Sequence, residues 1–112
     1  MMEKELDKIA EEFKSDPRNK VFASQDLLLK SVFEETGRNI TAEDLSRVIQ
    51  DIENGDMNTG AEEVYDALTY CCGVLAKKCF SNNPEDEDEE VDFEVTFLEG
   101  NSGIISAEIR PN

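Results

Sequence analysis

Six consecutive carboxylates, Glu85, Asp86, Glu87, Asp88, Glu89 and Glu90, followed at alternate positions by Asp92 and Glu94, form the densest run of ionisable side chains in this 112-residue chain. Such groups can ligate hard cations, exchange protons in acid-base catalysis, or present a row of fixed negative charge. Acid-base work needs a partly apolar pocket that shifts a pKa, and a run with no apolar residue inside it predicts solvation instead. A row of fixed charge suits the spacing better. On a strand, Asp92 and Glu94 would stand about 6.6 Å apart, roughly two phosphate steps of a nucleic-acid strand at about 3.4 Å each. A protein that neutralises phosphates with Lys and Arg would meet comparable anions here. The same run is equally what a solvated loop needs if it only aids solubility.

Other chemistry is sparse. The chain has no His, so nucleophile-and-base arrangements built on imidazole are excluded. Its six glycines fit neither the G-x-x-x-x-G-K-[ST] nor the G-x-G-x-x-G phosphate cradle. Cys71, Cys72 and Cys79 are odd in number and lack C-x-x-C spacing, which argues against both a disulfide framework and a zinc site. Neighbouring Cα atoms about 3.8 Å apart fall short of the roughly 4.4 Å a disulfide prefers, so a Cys71–Cys72 bridge would be strained. These absences predict a protein that is not an enzyme and has no cofactor and no dedicated metal site.

Calcium is the one ligand that acidity itself recommends. Ile40-Thr41-Ala42-Glu43-Asp44-Leu45 resembles the exit half of an EF-hand, and residues 51–63 faintly resemble a second loop. Upstream of Ile40 there is no room for a full loop, however, and with Asp56 at position 1, Ala61 falls where Gly is required and Ala67 where the bidentate Glu is required. Weak Ca²⁺ binding by residues 85–90 is what remains of this reading.

The elements that must position these groups follow from hydrophobic periodicity. Leu6, Ile9, Ala10 and Phe13 predict an amphipathic helix over residues 2–14, ending before Ser15-Asp16-Pro17. A second helix is predicted from Ser24 as N-cap to Thr36, with Gly37 as its left-handed C′ residue. Leu28, Leu29, Val32 and Phe33 share one side of it. Leu27 lies on the other side with Lys30, Ser31 and Glu34, which suits either a helix touched on two faces or a single exposed Leu. The third helix has the clearest start, with Thr41 as N-cap, Asp44 at N3 and Ile40 placed to staple onto Leu45; Asn54-Gly55 ends it. Leu45, Val48, Ile49 and Ile52 make its buried stripe.

Thr59-Gly60-Ala61-Glu62 reads as another capping box and opens a fourth helix that runs to about Cys79. Val64, Leu68, Cys71, Cys72, Leu75 and Cys79 fall within about 100° of arc, making the cysteines core-lining apolar groups. Tyr70 points the opposite way, among Glu63, Asp66 and Lys77. That position suits either an aromatic lying over its neighbours or a contact anchor. Beyond Ser81-Asn82-Asn83-Pro84 the acidic loop begins, and then the period becomes two. Val91, Phe93, Val95 and Phe97 alternate with polar residues, as do Ile105, Ala107 and Ile109 after a Gly-rich turn at residues 99–103.

The fold class expected is therefore α+β: about four helices (residues 1–80), an acidic loop (81–90) and a C-terminal antiparallel hairpin (91–110) packed on the helices, in one domain. No run of 18 apolar residues occurs and the first five residues lack a secretory pattern, so a soluble cytoplasmic protein is expected.

The charge is unevenly placed. Of 27 acids and 11 bases, residues 81–112 hold ten acids and one base, so −9 of the net −16 lies in this segment. Such a field repels nucleic acid and anionic membranes and attracts basic surfaces. Small acidic non-enzymatic proteins of this kind are similar in type, by charge and size, to toxin immunity proteins and phage antagonists of nucleases and defence complexes. The expectation is a stoichiometric inhibitor that docks Glu85, Asp86, Glu87, Asp88, Glu89, Glu90, Asp92, Glu94, Glu63, Asp66 and Tyr70 onto a basic, nucleic-acid-binding surface of a partner protein. The alternative is a self-associating structural or adaptor protein, dimeric through the hairpin edge.

Overall fold

The computed structural model describes residues 2–15, 20–56, 58–81, 83, 85–86, 88–99 and 105–111. Four helices, α1 (Met2–Ser15), α2 (Gln25–Thr36), α3 (Ala42–Glu53) and α4 (Thr59–Phe80), precede an antiparallel pair of strands, and a short strand, β1 (Val21–Ala23), lies between α1 and α2. The pair consists of β2 (Phe93–Glu99) and β3 (Ile105–Pro111), so the class is α+β as expected. Glu99, expected in the turn, instead pairs with Ile105 as the last residue of β2, and residues 100–104 lie outside the described residues.

Local chemistry sets most boundaries. Ser24 caps α2 by accepting from the Leu27 N–H, and Gly37 closes it at φ 74°, a left-handed conformation in which a Cβ would be strained. At α3 both halves of the capping box form: Asp44 N–H donates to Thr41 Oγ1 (3.1 Å) and Thr41 N–H to Asp44 Oδ2 (3.2 Å). Helix α4 starts one residue earlier than the Thr59 capping box implies. Asn58 is its N-cap, with Oδ1 accepting from Ala61 N–H at 2.8 Å. Two adjacent residues with a side-chain oxygen compete for this role, and Asn is among the strongest N-caps.

Strand β1 is the element that periodicity did not reveal. It pairs antiparallel with β3 through Val21↔Ile109, Phe22↔Glu108 and Ala23↔Ala107, which makes β3 the central strand in the order β1-β3-β2. The sheet's inner side carries Val21, Ala23, Ala107 and Ile109, all buried, with half-buried Phe93, Val95 and Phe97 from β2. The ladder starts at Phe93 rather than Val91.

Helix α4 runs through the centre, burying Val64, Leu68, Cys71, Cys72, Leu75, Ala76 and Cys79. Leu6 and Ala10 of α1, Leu27, Leu28 and Val32 of α2, and Leu45 and Ile49 of α3 complete one apolar cluster. The two-sided reading of α2 resolves through Ser31, which is buried and donates Oγ–H to the Ala67 carbonyl at 3.2 Å. With its hydroxyl satisfied, this small residue lets α2 turn the Leu27–Ser31 side inward. Phe33 is thereby moved off the buried face and is 49 % exposed, contrary to its assignment beside Leu28 and Val32.

Candidate protein-interaction surface

The acidic loop is placed by the end of α4. Phe80 meets Phe13 of α1 edge-to-face at 5.2 Å between ring centroids, and Lys78 pairs with Asp7 at 2.7 Å, so the exit point is pinned against α1. Lys77 and Lys78 lie in the last turn of α4, where cations favour the helix dipole. Together with Lys14 and Glu85 they line a cleft of about 590 Å³ between α1 and α4.

Past Ser81 the backbone folds into short turns stabilised from within the loop. Asp86 N–H donates to the Asn83 carbonyl (3.0 Å), Glu89 N–H to the Asp86 carbonyl (3.2 Å) and Asp88 N–H to Asp86 Oδ1 (3.0 Å). Asn83 N–H donates to both Ser81 Oγ (3.1 Å) and Glu89 Oε2 (3.2 Å). Short carboxylates holding nearby backbone N–H groups are the usual means of ordering a polar turn. Glu85, Asp86, Asp88, Glu90, Asp92 and Glu94 are exposed, whereas Glu89 is half-buried and turned toward the loop's own backbone. Glu87, the remaining member of the run, lies outside the described residues.

The outward side of the sheet is less uniformly acidic than a row of anions. Glu108 is only 8 % exposed and Arg110 forks onto it, with Nε at 3.0 Å and Nη2 at 2.7 Å from Oε1. Lys20 adds a third cationic contact at 3.5 Å while lying over the Phe22 ring. The Arg110 hydrogen bond is the main cause holding the Glu108 carboxyl below the usual carboxylate range. Arg110 also stands opposite Glu94 in the ladder, which places a cation beside the last anion of the row.

Glu63, Asp66 and Tyr70 do come together, on the solvent side of α4. With Glu35, Thr36 and Ala67 they line a shallow groove of about 330 Å³, in which Tyr70 is 62 % exposed. Arg38 binds Glu63 at 3.1 Å on this side. Tyr70 precedes the end of α4 by ten residues, about 15 Å of helix, so the groove and the loop are two neighbouring patches on one helix rather than one continuous site. Glu35, Thr36 and Ala67 are the groove residues that sequence reasoning missed; Glu35 and Thr36 reach the groove only through the packing of α2 on α4.

The three cysteines are free and buried. Burial pushes the Cys72 thiol up to about 12 and Cys79 up to about 11, and it raises Cys71 as well, which keeps all three protonated and poorly nucleophilic. Among the described residues, no three Cys, Asp or Glu side chains converge to hold a metal ion, and no helix is long and apolar enough to cross a membrane.

Comparison with known proteins found no matching family model, no matching curated protein and no matching solved structure.

Proposed function

We propose that this chain is a small, acidic, non-enzymatic binding protein of the cytoplasm. It acts as a stoichiometric inhibitor that occludes a basic, nucleic-acid-binding surface of a partner protein, as nucleic-acid mimics, phage antagonists and immunity proteins do. One observation carries this reading: Glu85, Asp86, Asp88, Glu90, Asp92 and Glu94 are exposed on a segment without a cation, and its turns are ordered by hydrogen bonds of the loop itself. Anions held in place before binding spare the partner the entropy of ordering them, and their field steers a basic surface into contact. The Tyr70 groove, acidic and aromatic, supplies the anchor that slows dissociation.

The test is functional. A basic protein recovered on the immobilised chain at low salt should lose its DNA or RNA binding when the chain is added at one equivalent. Retention of nucleic-acid binding at saturating chain would refute the inhibitor reading. Self-association is the second reading, favoured by the outer edge of β2, which pairs with no strand among the described residues. Light scattering separates the two, because a dimer insensitive to salt belongs to the second and a monomer to the first.

A further inference from the structure

The geometry points to β2 as the place where an extended basic segment of the partner adds a fourth strand to the sheet. This rests on the acidic-surface reading above and specifies how the basic partner is held. Among the described residues β2 is terminal in the order β1-β3-β2, so one edge of its seven residues offers alternate N–H and C=O groups to no strand. Its inward side chains Phe93, Val95 and Phe97 are half-buried, whereas Ala107 and Ile109 beside them on β3 are fully buried. An unfinished apolar row therefore runs along the open edge, and one more strand would cover it.

Charge selects the occupant. Glu94 and Glu99 are exposed on the strand itself, Glu90 and Asp92 precede it, and no Lys or Arg occurs between residues 79 and 109. Pairing with a second copy would bring these carboxylates together on two chains of net charge −16, which like-charge repulsion opposes. A strand with Lys or Arg at alternate positions and apolar residues between them satisfies both rows at once. Its cations face Asp92 and Glu94, and its apolar side chains cover Phe93, Val95 and Phe97. Main-chain hydrogen bonds then give affinity while the carboxylates exclude acidic or neutral strands.

The test uses the full chain and synthetic peptides. The probes are an alternating Lys-Val peptide, a peptide of the same composition with Lys and Val in separate blocks, and alternating peptides N-methylated on one or the other set of alternate peptide bonds. Binding and amide hydrogen exchange are measured at low salt. The alternating peptide should slow exchange at alternate residues of 93–99, and N-methylation of the pairing set should weaken it by about tenfold or more, the other set leaving it nearly unchanged. Equal binding by the block peptide, without protection of β2, would overturn strand addition and leave the acidic-surface reading standing. Failure of every peptide to bind would overturn strand addition, while the inhibitor reading is decided separately by the loss or retention of the partner's nucleic-acid binding. Protection of β2 on concentrating the chain alone would assign the edge to a second copy, which also overturns the proposal.

Discussion

Cys72 illustrates how burial decides what a reactive residue type does. A thiol pushed up to about 12 is protonated at neutral pH, and its sulfur serves as packing against the other apolar groups of α4. Replacing it by Ser keeps the size and buries a hydroxyl, so Cys72→Ser should lower stability by about 1–3 kcal/mol in denaturant unfolding. In the folded wild type, Ellman's reagent should react with all three thiols only as fast as the chain opens. Glu108 shows the opposite case, a carboxyl kept ionised by Arg110 and Lys20. Because its folded pKa lies below the unfolded value of about 4.3, its contribution to stability is complete above that range and fades as pH falls through the folded value. The stability difference between wild type and Glu108→Gln should therefore shrink below about pH 4 when unfolding is followed as a function of pH. A difference that grew on acidification would contradict the pairing.

At the scale of elements, what was legible in the sequence was local. The Thr41/Asp44 box, the Ser24 cap and Gly37 each complete a hydrogen bond or a turn within a few residues, and each stands where its residue type implies. Thr41→Ala should cost about 1 kcal/mol in thermal or denaturant unfolding, the usual worth of an N-cap. The Val91 to Phe97 alternation was legible for the same reason, since period two is a property of neighbouring residues. Strand β1 was not, because three residues are too few to show a period and its partner β3 lies more than eighty residues away in sequence. Phe33 was misplaced because periodicity ranks residues by hydrophobicity, whereas Ser31 enters the core through a hydrogen bond to Ala67. The site divides along the same line. The acidic run and Tyr70 stand out as residue types, but the inward turn of Glu89, the pairing of Glu108 and the approach of Glu35 to Tyr70 all depend on packing.

For the whole molecule, the net charge matters less than its placement. The helical body pairs some of its charges, as in Lys30–Glu5, Lys78–Asp7 and Arg38–Glu63. These exposed pairs add little stability, but they mute the field around them. The loop and the start of β2 contain no Lys or Arg of their own; Lys14, Lys77 and Lys78 stand beside Glu85 and Arg110 stands opposite Glu94, so the field is concentrated around Asp86, Asp88, Glu90 and Asp92, where α4 gives way to the sheet. That arrangement is the basis for proposing a basic partner, and its signature is kinetic. The most direct test is the association rate with a purified partner at low and high salt, for wild type and for a variant with Glu85→Gln, Asp86→Asn, Asp88→Asn and Glu90→Gln. Asp86 Oδ1 also accepts a loop hydrogen bond, so a Glu85→Gln/Glu90→Gln variant serves as a control that spares this bond. Steering by the loop requires the four-fold variant to associate about tenfold or more slowly at low salt, with a flatter salt dependence, an unchanged melting temperature and a partial effect in the control. An association rate unchanged at low salt would contradict it.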